Sequence, residues 1–143
     1  MKPSSNILRR VVQRDPTGCG IACAAAISGL SYERVRTRAA ILGIQVRDPQ
    51  LWSSTQPMRI LLAHLNIPTS PREMPFGDWC SLPDRALLAI KWHLEQGVPH
   101  WHWTVFVREG GEAYVLDPNK SLKSRRRTDF GRMRPKWFIE IFP

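Results

Sequence analysis

The sequence predicts an α+β fold with helices first and an antiparallel sheet after them. Apolar positions recur at helical spacing up to about residue 65. Beyond that point, prolines at 68, 71, 75, 83 and 99 punctuate short segments rich in β-type residues. With 143 residues, one domain spanning 1–143 with a single core is expected.

The elements follow in order. Asp15-Pro16-Thr17-Gly18 is a turn-rich lead-in, and Cys19 to Ser28 reads as a small-residue helix stopped by Gly29. Ser31 caps a second helix with Glu33 in its first turn, and Val35, Ala39 and Leu42 form its apolar stripe before Gly43. Ser54 or Thr55 caps a third, Pro57 to Leu65, striped by Met58, Leu61, Leu62 and Leu65. Ala86 to Trp92 is a short continuous apolar run that periodicity alone leaves open between helix and strand; we take it as a strand. Trp103 to Val107 and Ala113 to Leu116 form a hairpin across Glu109-Gly110-Gly111-Glu112, and Trp137 to Phe142 is a closing strand.

Composition excludes several classes. Hydrophobic residues make up 43% and charged residues 23%, which rules out wholesale disorder. The longest uncharged apolar stretch, Gly18 to Leu30, is too short to span a bilayer, so no membrane span is expected. The N-terminal stretch MKPSSNILRRVVQRDPTG has no apolar run or cleavage site of a secretory signal, which points to the cytoplasm and leaves delivery to another cell open. Cys19, Cys23 and Cys80 suit neither a disulfide framework nor a zinc site, and reduced thiols are expected. Most of the +9 net charge lies in residues 120–136, where eight Lys and Arg face Asp129 alone. That segment is either a solvated loop or a surface for an acidic partner. Six tryptophans beside basic residues raise the question of base stacking, but no nucleic-acid-binding motif appears, and most of the rings are expected in the core.

One constellation carries chemistry. Cys19 stands at a predicted helix N-terminus, where partial positive charge lowers a thiol pKa. Gly18 and Gly20 flank it, which would let a substrate backbone approach and leave the Cys19 amide free for an oxyanion; Gln13 offers a second donor. A nucleophilic thiol needs an imidazole, and the imidazole needs an orienting acceptor. Across a turn centred on Gly110-Gly111, His102 and Asp117 stand two positions off direct opposition, a diagonal pair on one face. His100 is the rival base, less favoured because His102 opens the strand's apolar alternation. Trp101, beside the base, would wall a subsite or shield the His–Asp contact. His93, His100 and His102 make a thin ligand set for a metal, and neither metal nor cofactor is expected. Each residue alone has a plainer reading: Cys19 and Cys23 as small core hydrophobes, His102 as a strand end, Asp117 as a turn residue before Pro118.

Taken together, VVQRDPTGCGIACAAAISGLSY, then HWTVFV and YVLDP, resemble the papain-like cysteine peptidases, and among them the double-glycine leader (bacteriocin-processing) peptidase domains in stand-alone form. The resemblance covers roughly residues 10 to 120. It implies a papain-like fold and cleavage of peptide or amide bonds through an acyl-enzyme. It further implies Cys19 as nucleophile, His102 as base and acid, Asp117 as orienting acid, Gln13 at the oxyanion, and a peptide or protein as substrate. Many relatives carry an acidic residue immediately before the cysteine, where this chain has Gly18, and the basic segment has no counterpart in the motif. The alternatives are a deamidase, transamidase or toxin using the same residues, and a non-enzymatic basic binding module with a vestigial triad.

Overall fold

The structure, a computed structural model, describes residues 7–142. The first six residues, part of the stretch read above for a secretory signal, lie outside it. α1 (Cys19–Ser28) is built from small residues, so both its neighbours and the sheet approach closely: Cys19 through Ala26 are all buried. It ends where Gly29 turns left-handed at φ 79° and donates its N–H to Ala25 O. α2 (Tyr32–Ile41) starts at Ser31, whose hydroxyl accepts the Arg34 N–H, and buries Tyr32, Val35 and Ala39. α3 (Gln56–His64) begins one residue earlier than its sequence suggests. It buries Pro57, Met58, Leu61 and Leu62, and its Thr55 cap residue makes no side-chain cap bond.

Five strands follow: β1 (Met74–Pro75), β2 (Arg85–Glu95), β3 (Val98–Glu109), β4 (Glu112–Leu116) and β5 (Pro135–Glu140). They form one antiparallel sheet in the order β1-β5-β2-β3-β4. The Ala86–Trp92 run is the middle of β2, as taken from sequence. β2 and β3 are longer than expected and meet in a hairpin at Gln96 (φ 52°) and Gly97 (φ 80°), a pair of left-handed residues that suits the twist of a two-residue turn. The second hairpin turns at Gly110 and Gly111, also left-handed, and sets Val105 opposite Leu116.

Both sheet faces are covered. Leu87, Ala89, Trp103, Val105 and Leu116 pack under the helices. Ala86, Leu88, Ile90, Phe106, Val115 and Met133 form a second, smaller core joined by Phe76, Trp79 and Phe130. A strand buried on both faces loses its polar alternation, which is why Ala86 to Ile90 reads as an unbroken apolar run.

α1 is seated on β3 at its first turn. A Cβ on Gly20 would stand 2.8 Å from Met58 Sδ and 3.3 Å from Trp103 Cδ1, so only glycine lets the helix come this close. Trp103 is fixed in turn by its Nε1–H to Leu51 O (2.7 Å) and by edge contacts with Trp101 and Trp137. Among the described residues, no helix is long and apolar enough to cross a membrane.

Candidate active site

The N-terminus of α1, the outer half of β3 and the residue after β4 converge on one point. The register opposes Val105 and Leu116, so Asp117 falls diagonal to His102, and the His102 Nε2 to Asp117 Oδ1 distance is 2.7 Å. With Nε2 committed to the carboxylate, Nδ1 is the ring nitrogen left for the thiol of Cys19, which acts on the imidazole as a hydrogen-bonding and electrostatic partner. Burial pulls the His102 pKa down, while hydrogen bonds and charge from Asp117 and Cys19 push it up and prevail, at about 9. Asp117 has no exposed side-chain surface. Burial alone would raise its pKa; His102, the Asn119 N–H and Arg127 overcome this and hold it at about 2.

Two arginines fix the acid. Arg127 Nη1 donates to Asp117 Oδ2 at 2.8 Å, and Arg10 Nη1 reaches the carbonyls of Asp117, Asn119 and Leu122 at 3.1–3.4 Å. Arg127 is 9% exposed, whereas its neighbours Arg125 and Arg126 are exposed. The basic segment is therefore not uniformly a solvated loop: one of its charges is inside the protein. Sequence reading missed this because Arg127 is one of eight similar cations. No local pattern singles it out, since simple alternation would turn Arg125 the same way as Arg127.

The loop before Cys19 is braced from α2. The Tyr32 hydroxyl donates to Asp15 Oδ2 (2.6 Å) and accepts the Asp15 N–H (3.3 Å), and Arg36 pairs with the same carboxylate at 3.2 Å. The Tyr32 bond and the Arg36 charge, working against burial, lower the Asp15 pKa. A Cβ on Gly18 would fall 2.0 Å from the Tyr32 hydroxyl oxygen, so this glycine makes room for the brace. At both Gly18 and Gly20, the close approach expected of a substrate is in the structure an approach of the protein's own side chains.

Gln13 borders the site, and its backbone N–H donates to Pro118 O (2.9 Å). Its Nε2 donates to the carbonyls of Asp15 and Pro16, both at 3.0 Å, while Oε1 is buried without a partner. The amide hydrogens that would serve an oxyanion are thus engaged by the loop. A cleft of about 260 Å³ opens between Gln13, Asp15 and Pro16 on one side and His102, Asn119, Lys120 and Ser121 on the other. Trp101 does not wall this cleft. It is buried, with its ring edge-on to Trp103 and Trp137 at 5.6 and 4.8 Å.

The other sequence candidates lie elsewhere. His100 stacks on His93 near the β2–β3 turn, His93 exposed and His100 half-buried, with His93 bonded to Glu95. Cys23 is fully buried, and burial with the nearby charges of Cys19 and Asp117 pushes its pKa well up. Cys80 is exposed. Among the described residues, no group of three or more His, Cys, Asp or Glu is placed to hold a metal.

No protein-family model and no curated protein matches this sequence. Among solved structures, the fold is similar to that of the peptidase domain of Streptococcus ComA, a bi-functional ABC transporter involved in a quorum-sensing pathway. The similarity has a TM-score of 0.62 over 96% of this chain and 99% of that one, at 15% identity. Three helices packed on a five-stranded antiparallel sheet are thus a papain-like peptidase fold, as the sequence leads one to expect.

Proposed function

We propose that this chain is a thiol hydrolase that cleaves a peptide or amide bond through an acyl-enzyme, with Cys19, His102 and Asp117 as its triad. The observation that carries the reading is the 2.7 Å His102–Asp117 contact, with Cys19 at a helix N-terminus interacting with the same imidazole.

In this scheme the Cys19 proton passes to His102 Nδ1, and the thiolate attacks the carbonyl carbon of the scissile bond. The Cys19 N–H, among the first N–H groups of α1 that have no partner within the helix, faces the developing oxyanion. Gln13 joins it by releasing one loop carbonyl as the substrate arrives. His102 then protonates the departing nitrogen, and the C–N bond breaks to leave a thioester on Cys19. Water, deprotonated by His102, attacks the thioester; the acid product leaves and the thiol regains its proton. Asp117 holds the tautomer with hydrogen on Nε2 throughout. The substrate is a peptide or protein whose scissile carbonyl enters the cleft beside His102.

The test is incubation of the protein with a peptide library, reading cleavage products and any acyl adduct on Cys19 by mass spectrometry. We expect cleavage by the wild type and none by Cys19→Ala. Cleavage undiminished in Cys19→Ala would refute the assignment.

A further inference from the structure

We infer that Arg127 is a positioning residue for the site's acid: it reaches out of the basic segment and holds the Asp117 carboxylate at one rotation, so that Oδ1 stays on His102 Nε2. This rests on the peptidase reading above and adds to it a further side chain behind the triad.

The two oxygens of a carboxylate are equivalent, but its plane turns about the Cβ–Cγ bond, and with histidine as its only partner that plane could swing while one oxygen stayed near the ring N–H. Here the two oxygens are distinguished. Oδ1 accepts from His102 Nε2 (2.7 Å) and the Asn119 N–H (3.0 Å), while Oδ2 accepts from Arg127 Nη1 (2.8 Å). The carboxylate has no exposed surface through which water could substitute for the guanidinium.

Arg127 is itself held in two ways. Its Nε and Nη2 grip Asp129 in a fork at 3.0 and 2.8 Å, which sets the guanidinium plane. Its backbone exchanges two hydrogen bonds with Val115, at 2.8 and 2.9 Å, in an isolated antiparallel bridge. Being opposite Val115, it is diagonal to Asp117, the same relation that His102 has from the other side. Asp117 is thereby clasped between two diagonal neighbours on adjacent extended segments.

The row of charges Asp129, Arg127, Asp117 and His102 alternates in sign. When His102 hands its proton to the leaving nitrogen, Asp117 still has a cationic partner, so the buried acid stays ionised through both halves of the reaction. A lysine could meet one of the two carboxylates but could not span both in a planar fork.

The test compares wild type, Arg127→Met, Arg127→Lys and Asp129→Asn by two readouts. The first is the Cys19 alkylation rate with iodoacetamide, relative to exposed Cys80. The second is the downfield proton resonance of His102 Nε2–H, assigned by its loss in His102→Ala. We expect Arg127→Met to slow Cys19 alkylation about tenfold or more, the scale of a misplaced catalytic group, and to lose the resonance. Arg127→Lys should recover part of both, and Asp129→Asn should fall between Arg127→Lys and wild type. Alkylation within twofold of wild type with the resonance kept in Arg127→Met overturns the inference. Should Arg127→Met fail to fold, Arg127→Lys decides: wild-type values on both readouts overturn it. If wild-type Cys19 reacts no faster than Cys80, the peptidase reading fails, while the resonance still judges the hold of Arg127 on Asp117.

Discussion

Asp117 is wholly buried yet charged, and that charge is sustained by His102, the Asn119 N–H and Arg127 together. In the proposed scheme Cys19 and His102 carry the chemistry, so Cys19→Ala and His102→Ala should each lower turnover by about 10⁴-fold or more, with the fold retained by circular dichroism. Asp117→Asn keeps the shape but loses the charge that orients the imidazole, and its loss should be smaller than either. At this scale the sequence discloses Cys19, His102 and Asp117, because a thiol at a helix start and a diagonal pair across a Gly-Gly turn are both computable from spacing. It does not disclose Arg127. Nothing local separates Arg127 from Arg125 or Arg126 until the bridge to Val115 sets which one turns inward. The engagement of Gln13 with two loop carbonyls is equally invisible, since it depends on how residues 13–18 close on themselves.

Among the elements, the start of α1 depends on α2 through Tyr32. Gly18→Ala puts a methyl group against the Tyr32 hydroxyl and should cost about 1–3 kcal/mol, the range for overpacking. Tyr32→Phe gives up the hydroxyl and its bonds to Asp15, at about 1–2 kcal/mol. The two should be non-additive: in Tyr32→Phe the alanine has more room, and thermal unfolding of the double variant should show less than the summed loss. In the sheet, Gln96 adopts a left-handed φ of 52° beside Gly97. Asn tolerates that conformation better, so Gln96→Asn should raise stability by about 0.5 kcal/mol, measured by denaturant midpoint. The same turn explains the hairpin that the sequence concealed. Gln-Gly is a weak turn signal next to Gly110-Gly111, and burial of Ala86 to Ile90 on both faces removes the alternation that would have marked a strand. α2 and α3 were legible because their apolar stripes face one core, and α1, buried almost all round, because of its small residues and the Gly29 stop.

For the whole molecule, the buried pair links stability to pH. His102, at about 9 in the folded protein, lies above its unfolded value near 6.5, so its stabilisation is complete below about pH 6.5 and is lost as pH rises through about 9. Asp117, at about 2, lies below its unfolded value near 3.9, so its contribution is present above about pH 4 and lost as pH falls through about 2. The melting temperature should therefore plateau between about pH 4 and 6.5 and decline on both sides, with both slopes flattened in Asp117→Asn; equal slopes in that variant would contradict the pairing. The +9 charge is distributed to match: its surplus cations line the exposed part of residues 120–136, while Arg127 is turned in to serve the acid.

The central claim is an activated Cys19, and its most direct test is the pH dependence of iodoacetamide alkylation, resolved by mass spectrometry from Cys23 and Cys80 and repeated in His102→Ala. The account predicts selective labelling of Cys19 well below pH 8, weakened when the imidazole is removed. Labelling of Cys19 no faster than Cys80 at every pH, or unchanged in His102→Ala, would contradict it.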